Sequence, residues 1–592
     1  MRRSNLFIAP LFCMFLVACD SPVETDDKAG PTGELNALTA DYWDYYLREY
    51  PAAATGQGIN DFNDRLGSVD AEARARRYQA RLEFVDRLQA IDYGALSVQS
   101  QLDADLLAWE LQNAIEYEEL GLYRIPFNTF WGFYVNALNA SSSVVMRSRE
   151  DYEDYLARMR DIPRYFEEHL ANMRLGSDEG FVLPQIVIDG VLPTIEAQVK
   201  ADPEDSSFYA PFVAMNEALS ESEQDALRAE ARNVIANAVM PAYDNVASFL
   251  RDDYQASQRL GAEQQPNGEA FYAHQIRRYT TLTETTADEI HATGLAEVAR
   301  IRREMETLIA ELNFDGSFDE FTEFLLNDPQ FFAETPLELL QFAAYTAKRV
   351  DYMMPAYFNK LPRQSYGVIP VPEELAPNYT SGAYYGAPLG GKNGGAYWVN
   401  TFALDQRPLY EIPALTLHEA VPGHHHSNAL ALELENVPAF RRSLGYSAFG
   451  EGWALYTEKL GVEMGVYQTP YEHFGRLSFE MWRACRLVID TGLHSQNWTR
   501  QQAIDYLMSN TALAAANARA EIDRYISWPG QALAYKLGEL KVWELRRYAE
   551  DELGDDFDLR VFHDTVLSQG EVPLAMLEAV VKRWVEDVRD GN

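Results

Sequence analysis

Leu417-His418-Glu419-Ala420-Val421-Pro422-Gly423-His424-His425-His426 is the stretch on which the reading of this chain turns. The protein has ten histidines, and four of them fall between positions 418 and 426. Histidine is the commonest side-chain metal ligand, and a neighbouring carboxylate can serve as a base toward water. The stretch opens like the zinc signature His-Glu-x-x-His, whose two histidines sit one helical turn apart. It then departs: position i+4 is Pro422 and the next histidine is at i+6. On a straight helix i+6 lies about 240° around the axis, so His418 and His424 would face apart. Pro422 removes a backbone donor and disfavours helical geometry at Val421, and Gly423 permits backbone angles other residues avoid. A helix interrupted between Glu419 and His424 is therefore expected, with His424 folded back beside His418. If the helix runs straight, His425 is the ligand instead, although it would lie about 10.5 Å along the axis from His418.

Downstream, Phe449-Gly450-Glu451-Gly452-Trp453 and Glu458 read as helix. Two histidines, a more distant glutamate and a water form a catalytic zinc set, which makes Glu451 the candidate third ligand. Glu458, seven residues on, faces the same side and can orient a ligand histidine. Arg486, Asp490 and His494 recur every four residues on one helix face. His494, oriented by Asp490, is a candidate oxyanion donor; an ion-pair ladder is the alternative. Arg524 to Gly538 joins two helices through Pro529-Gly530. From it Tyr535, Arg524 and Lys536 are candidate cleft donors, the two cations for a peptide carboxylate.

The rest of the chain supplies the setting. Met1-Arg2-Arg3 precedes a short apolar run, Leu6 to Ala18, that ends in Leu16-Val17-Ala18-Cys19. This resembles a bacterial lipobox, so residues 1–18 are expected to be a signal peptide and Cys19 to be lipidated. Asp20 resembles an inner-membrane retention signal. Residues 19–33, rich in Asp, Pro, Gly and Thr, read as a tether. The formal charge of −40 argues against nucleic acid and against anionic headgroups, leaving the acyl chains as the membrane attachment. Once Cys13 and Cys19 are accounted for, Cys485 is the one remaining thiol, in an apolar helical stretch, so no internal disulfide is expected.

Residues 69–92, 98–121, 149–173, 219–255 and 285–313 read as long helices. The last opens with a Thr286/Glu289 capping box and carries a stripe of Val298, Ile301, Met305, Leu308 and Leu312. Breaks are expected at 203–212 and 262–268. Between about 363 and 410 the helical period fails, and Gly367 to Val371, Tyr379 to Tyr385 and Gly394 to Thr401 read as short strands. Ala396 to Thr401, with Asn400 as a substrate contact, is the expected edge strand on which a peptide would pair.

The blocks His418-Glu419-x-x-Pro422-Gly423-His424-His425, Glu451 to Tyr456, Asp490-Thr491-Gly492-x-His494 and Arg524-Tyr525-x-x-x-Pro529-Gly530-Gln531-Ala532 together resemble the bacterial family called domain of unknown function 885. The resemblance spans nearly all the mature chain, and many members of that family are lipoproteins. The family is similar in outline to helical zinc peptidases related to thimet oligopeptidase, angiotensin-converting enzyme and the Taq-type carboxypeptidases. It aligns Gly423-His424 with the end of their motif, favouring His424 over His425. It implies a mainly helical, two-lobed fold enclosing a channel, with lobes at about 34–265 and 266–592 of a single domain and a small sheet beside the metal helix. It further implies a zinc peptidase trimming short peptides in the envelope, with His418, His424 and Glu451 as ligands and Glu419 as general base. His494 or Tyr535 would stabilise the oxyanion. A non-catalytic, metal-containing peptide-binding or assembly lipoprotein is the alternative; the oligomeric state is not legible.

Overall fold

Strong local signals set the helices. Thr286 and Glu289 cap each other's backbone N–H groups, at 3.3 and 2.9 Å, and the helix runs Ala287–Glu311. Val298, Ile301 and Met305 of its stripe are buried, while Leu308 and Leu312 pack at the core's margin. This helix lies along Pro470–His494. The contact is close because Gly294 has no side chain: a Cβ there would come within 2.7 Å of Leu487. The helix expected from 149 runs Arg149–Glu179 and stops at Gly180, whose φ of 77° suits glycine. The expected 219–255 segment is Glu221–Val234 and Met240–Ser248, with one π-helical turn between them, Ile235–Val239, and a second after them, Phe249–Asp253. The expected breaks are short 3₁₀ turns.

The computed structural model describes residues 30–591 apart from 143, 374, 388–392 and 514. The signal peptide and Cys19 lie outside the described residues. The tether expected to reach residue 33 is cut short by a helix, Pro31–Glu49. Proline suits its first turn, and Leu35 and Leu38 fix it by entering the core. Among the described residues no helix is long and apolar enough to cross a membrane.

The protein is mainly helical with one three-stranded sheet. Two large hydrophobic cores hold it together, and both draw on residues from either side of position 265. The N-terminal helices Pro31–Glu49 and Val98–Glu119 share a core with the helices that follow residue 411. Residues 127–254 share the other with Pro470–His494.

The sheet comprises β1 (Tyr366–Pro370), β2 (Gly382–Tyr385) and β3 (Gly395–Val399). Its order is β1-β3-β2, with β3 parallel to β1 and antiparallel to β2. The strand expected at the edge is thus the central one, its backbone groups taken on both sides. Asn400 is fully buried, and its amide donates to the carbonyls of Ala376, Tyr379 and Thr380. It ties a loop together, so the substrate contact expected of it does not stand. Among the described residues β1 and β2 are the two edge strands, and β2 packs against Ile412–Glu419 and His424–Leu432.

Candidate metal centre

Three helices and a turn build the site. Ile412–Glu419 carries His418 and Glu419 and ends where expected. His424–Leu432 begins after four intervening residues. The turn between them contains a cis Val421–Pro422 bond and is held from several directions. Trp453 Nε1 donates to the Pro422 carbonyl at 2.8 Å, and Thr457 Oγ1 donates to the Leu417 carbonyl at 3.0 Å. His425 N–H reaches back to the Ala420 carbonyl at 3.1 Å. Gly423 is required for contact rather than φ: a Cβ on it would sit 2.0 Å from the His418 carbonyl oxygen. Glu451 comes from Ser447–Glu463, pressed against Ala534–Leu553 through Gly452 and Gly538. A Cβ on Gly538 would lie 1.9 Å from the Ala448 carbonyl. These contacts set the height and rotation of Glu451.

The result brings His418, His424 and Glu451 together, with one donor atom from each inside a 4.8 Å spread. His418 Nε2 and His424 Nε2 lie 3.3 and 3.4 Å from the same Glu451 oxygen. The two imidazoles stand at 90° to each other. Bonds of about 2.0–2.2 Å at tetrahedral angles separate ligand atoms by roughly 3.3 Å, so the donor set suits a small divalent cation. His418 Nδ1 is 2.8 Å from Glu458 Oε1, the outer-shell partner that fixes a ligand imidazole. Burial opposes charge on His418, yet Glu451 and Glu458 beside it raise its pKa to about 10. The pocket therefore favours positive charge at this point.

Glu419 is buried, and no donor among the described residues reaches its carboxylate. Its charge raises the pKa of Tyr379, after the larger effects of burial and the Tyr385 hydrogen bond, which places it toward the segment leading into β2. The other histidines are engaged elsewhere. His425 lies between the Tyr384 hydroxyl and the Gln364 carbonyl, each at 3.1 Å. His426 is buried against Phe358. Burial lowers their pKa values to about 4 and about 3, leaving both neutral.

Several expected residues are not brought to this cluster. His494 accepts the Ala262 N–H at 3.1 Å on Nδ1 and pairs with the Tyr525 carbonyl at 2.9 Å through Nε2. Both ring nitrogens are consumed, so no proton remains for an oxyanion. Asp490 does not orient it; it accepts from the Tyr272 hydroxyl at 2.6 Å and from Gly530 N–H. Lys536 is wholly buried among Glu480, Glu539 and Glu297, at 2.8, 2.5 and 3.0 Å, which rules out a role in holding a substrate carboxylate. Arg524 donates to Gln531 and to the Tyr535 hydroxyl at 3.1 Å. Tyr535 is the acceptor there.

Two neighbours escaped the sequence reading. Arg483 is 3.8 Å from Glu458, and nothing in its surroundings in the chain marks it. Glu571 accepts the Tyr446 N–H at 2.7 Å and lies against Gly450; burial raises its pKa to about 7. The small residue at 450 was the available signal.

No curated protein matches the chain. The protein described as "the putative lipoprotein from Colwellia psychrerythraea" has a similar structure, with a TM-score of 0.87 and 27% identity over 94% of this chain and 100% of that one. A second, described as "a putative lipoprotein of unknown function from Shewanella oneidensis", shares the fold at a TM-score of 0.71 and 18% identity, over 93% and 99% of the two chains. The lipoprotein neighbours fit the lipid-anchored envelope protein expected from the N-terminal sequence. The pattern described as "Bacterial protein of unknown function (DUF885)" matches residues 51–581, and the chain belongs to that family.

Proposed function

We propose that the protein is a zinc peptidase acting on short peptides, tethered through a lipid on Cys19 and facing the periplasm. One observation carries this reading: the donors of His418, His424 and Glu451 converge within 4.8 Å beside Glu419, a carboxylate outside the donor set. A zinc ion held by those three residues supplies a Lewis acid for a peptide carbonyl and for water. Glu458 keeps the His418 ring in one orientation through Nδ1. Glu419 follows His418 directly and so projects about 100° around the helix from it, beside the trio rather than within it. It takes a proton from the attacking water and delivers it to the leaving amine. β2, an edge strand packed against the ligand helices, takes over the strand-pairing role expected of Ala396–Thr401.

Glu419→Gln tests the reading, since it keeps size but cannot accept the proton. It is expected to retain zinc and to lose at least ~100-fold in hydrolysis of a short-peptide library. Near wild-type turnover in this variant would remove Glu419 as the base. A zinc-loaded wild-type protein that cuts nothing in the library would leave a peptide-binding lipoprotein as the reading.

A further inference from the structure

A second site-like feature lies apart from the three ligands. A cavity of about 500 Å³ opens between the N-terminal helices and the segment Gly445-Tyr446-Ser447. That volume suits a ligand of dipeptide size. Its charge runs against the rest of the molecule. The chain carries a formal charge of −40, yet four arginines and two glutamates line this cavity.

The arginines are not equivalent. Arg74 is paired with Glu118 at 2.6 Å, and Arg77 with Glu49 at 3.4 Å. Arg81 donates to the Ala114 carbonyl and the Tyr50 hydroxyl, at 3.0 and 2.8 Å, and has no carboxylate partner among the described residues. Arg278 has none either; it stands 5.9 Å from the centre of the Tyr117 ring and 5.5 Å from that of Tyr279. The second glutamate, Glu110, accepts from the Tyr446 hydroxyl at 2.8 Å and is not within ion-pair distance of Arg278. Two guanidinium groups thus line the cavity with no carboxylate within ion-pair distance among the described residues, although Arg278 acts on Glu110 through space. Guanidinium binds carboxylate through parallel N–H donors; here Arg81 is half-buried and Arg278 exposed at the rim.

Much of the rest of the wall is aromatic, including Trp109, Tyr117, Trp131 and Tyr279. Trp131 meets Trp528 edge to face at 6.3 Å, and the Trp528 indole N–H donates to the Tyr279 hydroxyl at 2.6 Å. This gives a stiff apolar surface for a ring. The cavity is also tied to the metal centre by covalent sequence. Ser447 lines it and begins the helix that carries Glu451, four residues and about 6 Å further along the axis.

We propose that this cavity receives the C-terminal carboxylate and an aromatic C-terminal side chain of a short peptide, with Arg81 and Arg278 as the carboxylate donors. The assignment rests on the peptidase reading for its choice of a peptide and narrows that reading to peptides with a free C-terminus. An acidic protein repels such peptides at long range, and the arginines around this cavity provide the local exception.

Binding, rather than turnover, tests it. N-acetyl-Phe-Phe and its C-terminal amide are titrated calorimetrically into zinc-loaded Glu419→Gln protein, alone and combined with Arg278→Gln or Arg81→Gln. The acid is expected to bind roughly tenfold tighter than the amide, and each arginine change to shrink that ratio severalfold. Arg278 is exposed and makes no hydrogen bond among the described residues, so its variant is expected to fold even if the Arg81 variant does not. Equal binding of acid and amide, or an acid preference untouched by Arg278→Gln, overturns the proposal. Wild-type hydrolysis of both probes without preference would defeat the cavity assignment and leave the peptidase. An arginine-dependent acid preference in a protein that cuts neither probe would keep the cavity and defeat the peptidase.

Discussion

Around Glu451 and around Lys536 the chain gathers carboxylate and basic side chains at similar density, but the two groups are finished differently. At the first, the side chains of His424 and Glu451 remain 18% and 22% exposed, and three donors aim at one point. At the second, Lys536, Glu480 and Glu539 are no more than 2% exposed, and the ammonium is surrounded by acids. Arg300 closes the second group from outside through Glu480 and Glu297. Charged residues in a helical motif therefore say little by themselves. What separates a site from a scaffold is whether donors converge on space or on each other.

That contrast can be broken at either end. The largest effect is expected from His418→Ala or Glu451→Ala, which should abolish stoichiometric zinc in protein purified without added metal. His494→Gln should leave zinc content unchanged, measured by elemental analysis. Full zinc in His424→Ala together with loss in His425→Ala would reverse the ligand assignment. Next comes Lys536→Met. It leaves Glu480 and Glu539 buried without their cation and should cost roughly 3–5 kcal/mol in denaturant unfolding. The fraction that folds should still bind zinc, because the two groups are separate. Glu458→Gln should be milder, weakening zinc affinity by about 10- to 100-fold in a chelator competition, with stability little changed.

The smallest effect concerns pH. Burial raises the Asp490 pKa to about 7, against the donors Tyr272 and Gly530 that favour its charged form. The folded protein then holds a proton that the unfolded chain has lost, between about pH 4 and pH 7. The stability from this group is present below pH 4 and is lost as pH rises through 7. Asp490→Asn keeps an acceptor for both donors and should flatten that fall, making the variant the more stable partner at pH 8 but not at pH 4. Thermal melts across the range check this. A parallel pH profile for the two proteins would show that Asp490 ionises freely.

The sequence made some of this legible and hid the rest for physical reasons. The histidine density, the Pro422-Gly423 break and the glycines around Glu451 are local, and they pointed to the residues that converge. The helices of 287–311 and 149–179 announced themselves through caps and stripes. Strand order was not local: β3 is central only because β1, from nearly 30 residues earlier, passes β2 to pair with it in parallel. Lys536 looked available because Glu297 and Glu480 are far away in the chain. His494 looked like a donor because its acceptor is a backbone carbonyl, which no side-chain pattern reveals. The arginines at 81 and 278 carry no motif, and only packing sets them at one cavity.

The turn at Pro422-Gly423 also bears on how such a centre can change over generations. On an unbroken helix, ligand spacing is a ruler with fixed divisions, and a second histidine moves by whole turns or not at all. Once the helix is cut, the position of His424 is set by what grips the turn, chiefly Trp453 and the backbone at Leu417 and His418. A substitution at Trp453 can shift His424 while His418, His424 and Glu451 all stay in the sequence. The spacing of the three donor groups can thus drift while the His-Glu signature stays intact.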